Sequence, residues 1–233
     1  MALLGTGVLA IWNNIVPGWE SEFLEWHVKE HIPERIGVKG FLRGRRYISV
    51  DGTPAYFNFY ETETYQVLSS EPYLARLNDP TPWTRKVVSN FKDTSRTICD
   101  VVHSTGRGIA AWIETIQLQT ALDAAEFSRR MTGQLLPQIT TKPGITSAHL
   151  LRGVPEANKK DTAENAMRGV RDKEADWILL IETITSTAAR DLRADLSSNA
   201  SLAQHGAASK PARGLYQLDF SLARAELEAQ TVA

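Results

Sequence analysis

The chain is written twice, and that repeat restricts its possible folds more than any other feature. The segment Phe23-Leu24-Glu25-Trp26-His27-Val28-Lys29-Glu30-His31-Ile32-Pro33 returns as Phe127-Ser128-Arg129-Arg130-Met131-Thr132-Gly133-Gln134-Leu135-Leu136-Pro137. The offset is a constant 104 and holds again at Gly40 and Gly144. An internal repeat means one supersecondary unit used more than once, each copy needing a neighbour to cover its apolar face.

In the first copy, Gly7 to Val16 reads as a strand punctuated by Pro17-Gly18, and a helix follows over Trp19 to Arg35. Phe41 to Val50 is a second strand, Asp51-Gly52-Thr53-Pro54 a turn, and the aromatic-rich Ala55 to Glu61 a third strand. Helical segments between Thr64 and Asn90 are interrupted near Pro80 and Pro82, and Thr97 to His103 closes the unit as a strand. The second copy predicts strands at Gly108–Gln117, Ile145–Arg152, Trp177–Glu182 and Gly214–Leu222, with helices at Leu122–Leu136 and Ala188–Leu202. The order is βαββαβ twice, the ferredoxin-like arrangement. Such a unit has helices on one face of its sheet and leaves the other bare, so two units in one chain bury their bare faces together as a pseudo-dimer. The expected fold class is α+β, two tandem ferredoxin-like βαββαβ units, with halves 1–105 and 106–233 joined through Gly106-Arg107-Gly108.

Glu61 and Glu182 stand at equivalent strand ends, which points to structure, such as a cross-strand or inter-half pair, more than to chemistry. Their offset is 121, so the second half carries 17 extra residues (121 − 104) within Gly153 to Asp176. This charged stretch, with Lys159-Lys160-Asp161 and Arg171-Asp172-Lys173-Glu174, reads as a solvated excursion, a lid over the site being the alternative.

The repeat also isolates a functional lead. His27 maps onto Met131 and His31 onto Leu135, so these helical positions do not require imidazole for packing. Stepping the helix at about 100° per residue puts Glu22, Glu25 and Lys29 toward water and Phe23, Leu24, His27 and His31 in the apolar stripe. A buried histidine costs desolvation unless its nitrogens find partners. Two at i and i+4, absent from the twin helix, point to a site. General acid–base chemistry comes first, since imidazole titrates near working pH. A divalent metal shared by the pair is an alternative and would recruit Glu61 as third ligand, Glu34 being another possibility. Axial ligation of haem is the other. No cofactor is expected for the leading reading. Candidate substrate-binding residues are Asn13, which interrupts an apolar strand face, Trp26, and Arg45 and Tyr47 on one face of the second strand. An arginine there would clamp a carboxylate or enolate oxygen.

Lys and Arg total 26 against 27 Asp and Glu, which gives no basis for nucleic-acid or anionic-membrane partners. Cys99 is the only cysteine, so neither an intramolecular disulfide nor a cysteine metal cluster is possible. The start Met1-Ala2-Leu3-Leu4-Gly5 lacks a basic n-region and the apolar stretch after it is broken by Asn13, Asn14 and Pro17, so a cytoplasmic protein is expected.

Trp26-His27-x-x-x-His31-x-Pro33, with Val38-Lys39-Gly40-Phe41 and Arg45-Arg46-Tyr47, resembles the dimeric α/β-barrel superfamily in its EthD-like and antibiotic-biosynthesis-monooxygenase-like branches. The ferredoxin-like repeat covers nearly the whole chain, the His-bearing motif only its first half. The resemblance implies an intramolecular dimeric α/β barrel with a pocket between sheet and helices, often for aromatic or polyketide-like molecules and sometimes haem, in catabolism or secondary metabolism. It does not imply one reaction. The expected activity is acid–base chemistry on an aromatic or carbonyl-containing acid: cyclisation, isomerisation, decarboxylation or cofactor-free oxygenation. Non-catalytic small-molecule binding is the other reading, and a homodimer of the whole chain remains compatible.

Overall fold

The computed structural model describes residues 3–158, 162–167 and 172–231. Eight antiparallel strands close into one barrel in the order β1-β3-β2-β8-β5-β7-β6-β4. In the first half these are β1 (Gly7–Ile15), β2 (Phe41–Asp51), β3 (Tyr56–Thr62) and β4 (Phe91–Gly106). The second half supplies β5 (Trp112–Thr120), β6 (Ile145–Gly153), β7 (Trp177–Thr183) and β8 (Ala207–Ala223). Each half is a sheet ordered 4-1-3-2, and its two edges pair with the other half through β2–β8 and β4–β6. Closure removes the open sheet edges that each unit would present alone. The expected intramolecular barrel is present. The strand β4 begins at Phe91, earlier than its apolar core suggests, and both β4 and β8 are long because each reaches across the seam.

The bare sheet faces meet in an aromatic barrel core. Trp12 stacks on Phe57 at 4.7 Å, and Tyr47, Phe59, Ile113, Leu151, Ile178, Leu180 and Tyr216 pack around them. Outside the barrel lie the helices. The first half has α1 (Glu20–Trp26), a π-helical turn (His27–His31), α2 (Ile32–Gly37), a 3₁₀ turn (Tyr65–Ser69), α3 (Glu71–Asn78) and α4 (Pro82–Val88). The second has α5 (Ala124–Arg130), a π-helical turn (Met131–Leu135), α6 (Leu136–Thr140), α7 (Pro155–Asn158), α8 (Ala163–Met167), α9 (Ser186–Ala194), α10 (Asn199–Gln204) and α11 (Arg224–Thr231). The helix expected over Ala188–Leu202 is split between α9 and α10, with Ser198 capping the second piece through the Ser201 N–H.

Both leading helices widen at the same place, and the sequence supplies a cause. Pro33 and Pro137 follow the two π turns, and proline has no N–H and crowds the carbonyl one turn back. The chain accommodates it by an i→i−5 bond, Ile32 N–H to the His27 carbonyl and Leu136 N–H to the Met131 carbonyl. The π turn is therefore a property of the repeat, and the histidines of the first copy occupy it.

One strand facing departs from simple alternation. A bulge between Phe41 and Arg43 turns Phe41 outward, where it meets Tyr60 and Tyr73, while Arg43, Arg45 and Tyr47 point into the barrel. There Arg45 lies between the two halves' equivalent glutamates, 2.9 Å from Glu61 and 3.0 Å from Glu182. Arg43 adds two bonds to Glu61, at 2.7 and 3.0 Å. His149, the counterpart of Arg45, is fully enclosed and bonded to Ser104 at 2.9 Å. No helix among the described residues is long and apolar enough to cross a membrane.

Candidate functional site

The site lies between the first-half sheet and its helices. His27 and His31 are both buried, their rings stacked 5.5 Å apart within the π turn. His27 Nε2 lies 3.0 Å from the Tyr60 hydroxyl on β3, and its Nδ1 has no hydrogen-bond partner among the described residues. His31 packs its ring against Trp26 at 4.2 Å and forms part of the wall of a narrow cavity. Trp26, Arg35, Tyr60, Tyr73 and Arg96 also line this cavity, over an apolar floor of Leu9, Ile11, Leu77 and Val88. The histidine pair is thus divided. His31 touches the cavity, and His27 stands behind Tyr60.

The local electrostatics keep His27 and Tyr60 neutral. Burial, then the charges of Arg46 and Arg35, push the His27 imidazole well below its ordinary 6.5. Burial likewise pushes the Tyr60 phenol up, against the pull of Arg35. At neutral pH the His27–Tyr60 pair is an uncharged hydrogen bond, with one proton to share between ring nitrogen and phenol oxygen. Arg35 keeps its charge, because Glu164, Tyr73 and Glu34 outweigh the burial that opposes it.

A stability consequence follows from His27. Its folded pKa is depressed, so between that value and 6.5 the unfolded chain binds the extra proton. The contribution is complete above pH 6.5 and declines as pH falls, by up to about 1.4 kcal/mol per pH unit. In urea titrations at pH 7.5, 6 and 5, wild type should therefore lose stability relative to His27→Leu on acidification. Parallel curves would mean that folding leaves the His27 pKa unshifted.

Several expected site residues lie elsewhere. Arg45 and Tyr47 are in the barrel interior, on the opposite side of the sheet from the cavity, engaged with Glu61 and Glu182; the bulge in β2 sets that facing. Asn13 faces the helices, but its amide oxygen accepts from Asn58 at 2.8 Å and its nitrogen donates to the Asn14 carbonyl at 3.2 Å. The metal set His27, His31 and Glu61 is not assembled, since Glu61 faces the barrel. Among the described residues no group of three or more His, Cys, Asp or Glu is placed to hold a metal. Haem does not fit these residues as they stand. His27 Nε2 is engaged by Tyr60, His31 is covered by Trp26, and the cavity of about 40 Å³ is far below the roughly 300–1,000 Å³ of ligand pockets.

The charged insertion is not simply a solvated excursion. Lys159, Lys160, Asp161 and Arg171 lie outside the described residues. The short helix α8, however, packs on α3 and α4 of the first half. Glu164 and Asn165 complete the cavity wall, and Met167 joins the cluster around Phe23 and Trp26.

Neither Arg35 nor Tyr60 was among the site residues chosen from sequence, and the signal for both was available. Arg35 corresponds to Ile139 at the 104 offset and Tyr60 to Ile181 at the 121 offset. Extending the comparison that exposed the histidines would have found them. In the second half Met131, Leu135, Ile139 and Ile181 pack into one apolar cluster, all fully buried.

A closed eight-stranded barrel of two ferredoxin-like halves, each with helices outside, is the dimeric α/β-barrel fold. No family model and no curated protein matches the sequence. Solved structures do resemble it in fold. An anthrone oxidase-like protein superimposes with a TM-score of 0.62 at 15% identity, over 95% of this chain and 94% of its own. A candidate monooxygenase from Fusobacterium nucleatum gives 0.60 at 10% identity, over 95% and 96%. A candidate chlorite dismutase gives 0.52 at 10% identity, over 97% and 99%.

Proposed function

We propose that the first half is a small-molecule enzyme of the EthD-like or antibiotic-biosynthesis-monooxygenase-like kind, using proton transfer at a buried site, and that the second half is its structural partner. The observation that carries this reading is the asymmetry of the halves: His27, His31, Arg35 and Tyr60 stand where the twin copy buries Met131, Leu135, Ile139 and Ile181. Desolvating four polar side chains where four apolar ones already pack well is unfavourable for stability alone.

The substrate is an aromatic or carbonyl-containing acid. His31, at the cavity wall, takes a proton from a phenolic O–H or from a carbon acid next to a carbonyl. The developing oxygen charge accepts a hydrogen bond from the Tyr60 O–H, which burial keeps protonated. His27 touches no substrate. It is a positioning residue: with its proton on Nε2 it donates to the Tyr60 oxygen and leaves the Tyr60 O–H to point at the ligand. The stabilised anion is a common starting point for cyclisation, isomerisation, decarboxylation or reaction with dioxygen. The last is favoured by the fold neighbours named for oxidase and monooxygenase chemistry, which makes anthrones and hydroxylated aromatic acids the first compounds to assay.

The test copies the second half into the first. A triple variant His27→Met, His31→Leu, Tyr60→Ile should still unfold cooperatively, because its twin residues already pack at the equivalent positions. Oxygen uptake and product formation across the panel should fall at least about 10²-fold. No turnover by wild type on any panel member, or undiminished turnover by the variant, would refute the reading.

A further inference from the structure

The Arg35 guanidinium carries more information than the acid–base reading uses. It is 2% exposed, yet its counterpart Ile139 fills the same place with an apolar side chain, so packing does not call for a cation there. Its close partner is Glu164, itself 6% exposed, which comes from α8 in the second half, 129 residues away in sequence. Glu34 adds a contact at 3.2 Å, and the Tyr73 ring lies 5.7 Å from the guanidinium carbon. Glu164 thus shares the lining of the cavity with His31, Leu9 and Ile11. Besides the ion pair, α8 is tied by the Ala163 N–H to Asn78 at 3.2 Å and by Met167 packing near Trp26.

We propose that Glu164 is an internal stand-in for the ligand's carboxylate, and that this site takes a carboxylate with an apolar, planar body by exchange at Arg35. The argument is one of charge. With Glu164 gone the buried guanidinium keeps only the Glu34 contact, so a neutral molecule displacing Glu164 would leave it under-compensated. A carboxylate displacing Glu164 preserves the charge balance and can meet the planar fork of the guanidinium with two parallel bonds. The same exchange makes room: the cavity of about 40 Å³ holds little more than a water molecule until the Glu164 and Asn165 side chains withdraw. Arg35 would then set specificity for the acid group, while His31 and Tyr60 face the rest of the ligand.

This proposal rests on the reading of the cavity as a small-molecule site, but its test measures binding and needs no turnover. Benzoate is the probe and benzamide, similar in shape and uncharged, the control, both titrated calorimetrically into the full chain. Glu164→Ala should bind benzoate at least tenfold more tightly than wild type, with benzamide changed less than twofold. Adding Arg35→Met to Glu164→Ala removes both members of the pair, keeps the charge balance, and should abolish the gain. Circular dichroism and a cooperative melt check that each variant keeps its barrel. No gain for benzoate, an equal gain for benzamide, or a gain that survives Arg35→Met would each overturn the proposal. If benzoate behaves as expected while the triple variant of the histidine site still turns over, the acid–base reading alone fails.

Discussion

Replacing Arg45 with alanine is expected to cost the protein about 3–5 kcal/mol of stability, the range for breaking a buried ion pair from one side. The side chain is fully buried and links the halves at their centre, 2.9 Å from Glu61 and 3.0 Å from Glu182. It also donates to the Tyr47 hydroxyl at 2.8 Å and lies over the Phe59 ring at 4.6 Å. Glu61 would keep Arg43, but Glu182 would be left with the Ala110 N–H at 2.8 Å and His149 at 3.6 Å. Burial opposes ionisation of Glu182, and Arg45, His149 and the Ala110 N–H outweigh it, holding its pKa down at about 2. That stability is present above the unfolded value of 4.5 and declines as pH falls toward 2. In Arg45→Ala that acid-linked loss should shrink, so the gap between variant and wild type should narrow as pH falls from 4.5 toward 2. Urea denaturation over pH 3 to 7 reads both effects. A loss under about 1 kcal/mol would mean that the edge pairing and the aromatic core hold the two halves without help from this ion pair.

Turnover should respond most to the groups that touch the cavity. With the substrate found by the assays above, Tyr60→Phe and His31→Gln should each lower kcat about 10²–10⁴-fold, the usual contribution of a positioned acid or base. Tyr60→Phe keeps the ring and removes only the hydroxyl, so KM should change little; an interaction made mainly in the transition state is lost from kcat. His27→Gln retains a hydrogen-bonding partner for Tyr60 and should cost less. Its distinguishing effect is on the pH–rate profile, because the amide that replaces the imidazole does not titrate. If His31→Gln and Tyr60→Phe raise KM without lowering kcat, the residues bind substrate and do not move protons.

The architecture was largely legible in the chain. Two copies of strand, helix, strand, strand, helix, strand at fixed offsets leave few packings, since each unit has one bare sheet face and two open edges. The lead to the candidate site was legible too, because the comparison of Trp26-His27-x-x-x-His31 with Arg130-Met131-x-x-x-Leu135 needs no coordinates. Its composition was only half legible. Arg45 and Tyr47 look like pocket residues until the bulge after Phe41 is known, and a bulge changes strand parity without a reliable sequence mark.

What the sequence determined by itself, then, is what short-range rules govern: periodicity, turn punctuation, the prolines that widen both leading helices, and the duplication that exposes polar substitutions. The tertiary structure alone decided which groups share a space. Glu164 meets Arg35 across 129 residues of chain, and Glu61 meets Glu182 through Arg45, contacts created by barrel closure and by the path of an insertion. Long-range pairing of this kind depends on the balance of desolvation against charge in a closed interior, and local propensity does not encode it.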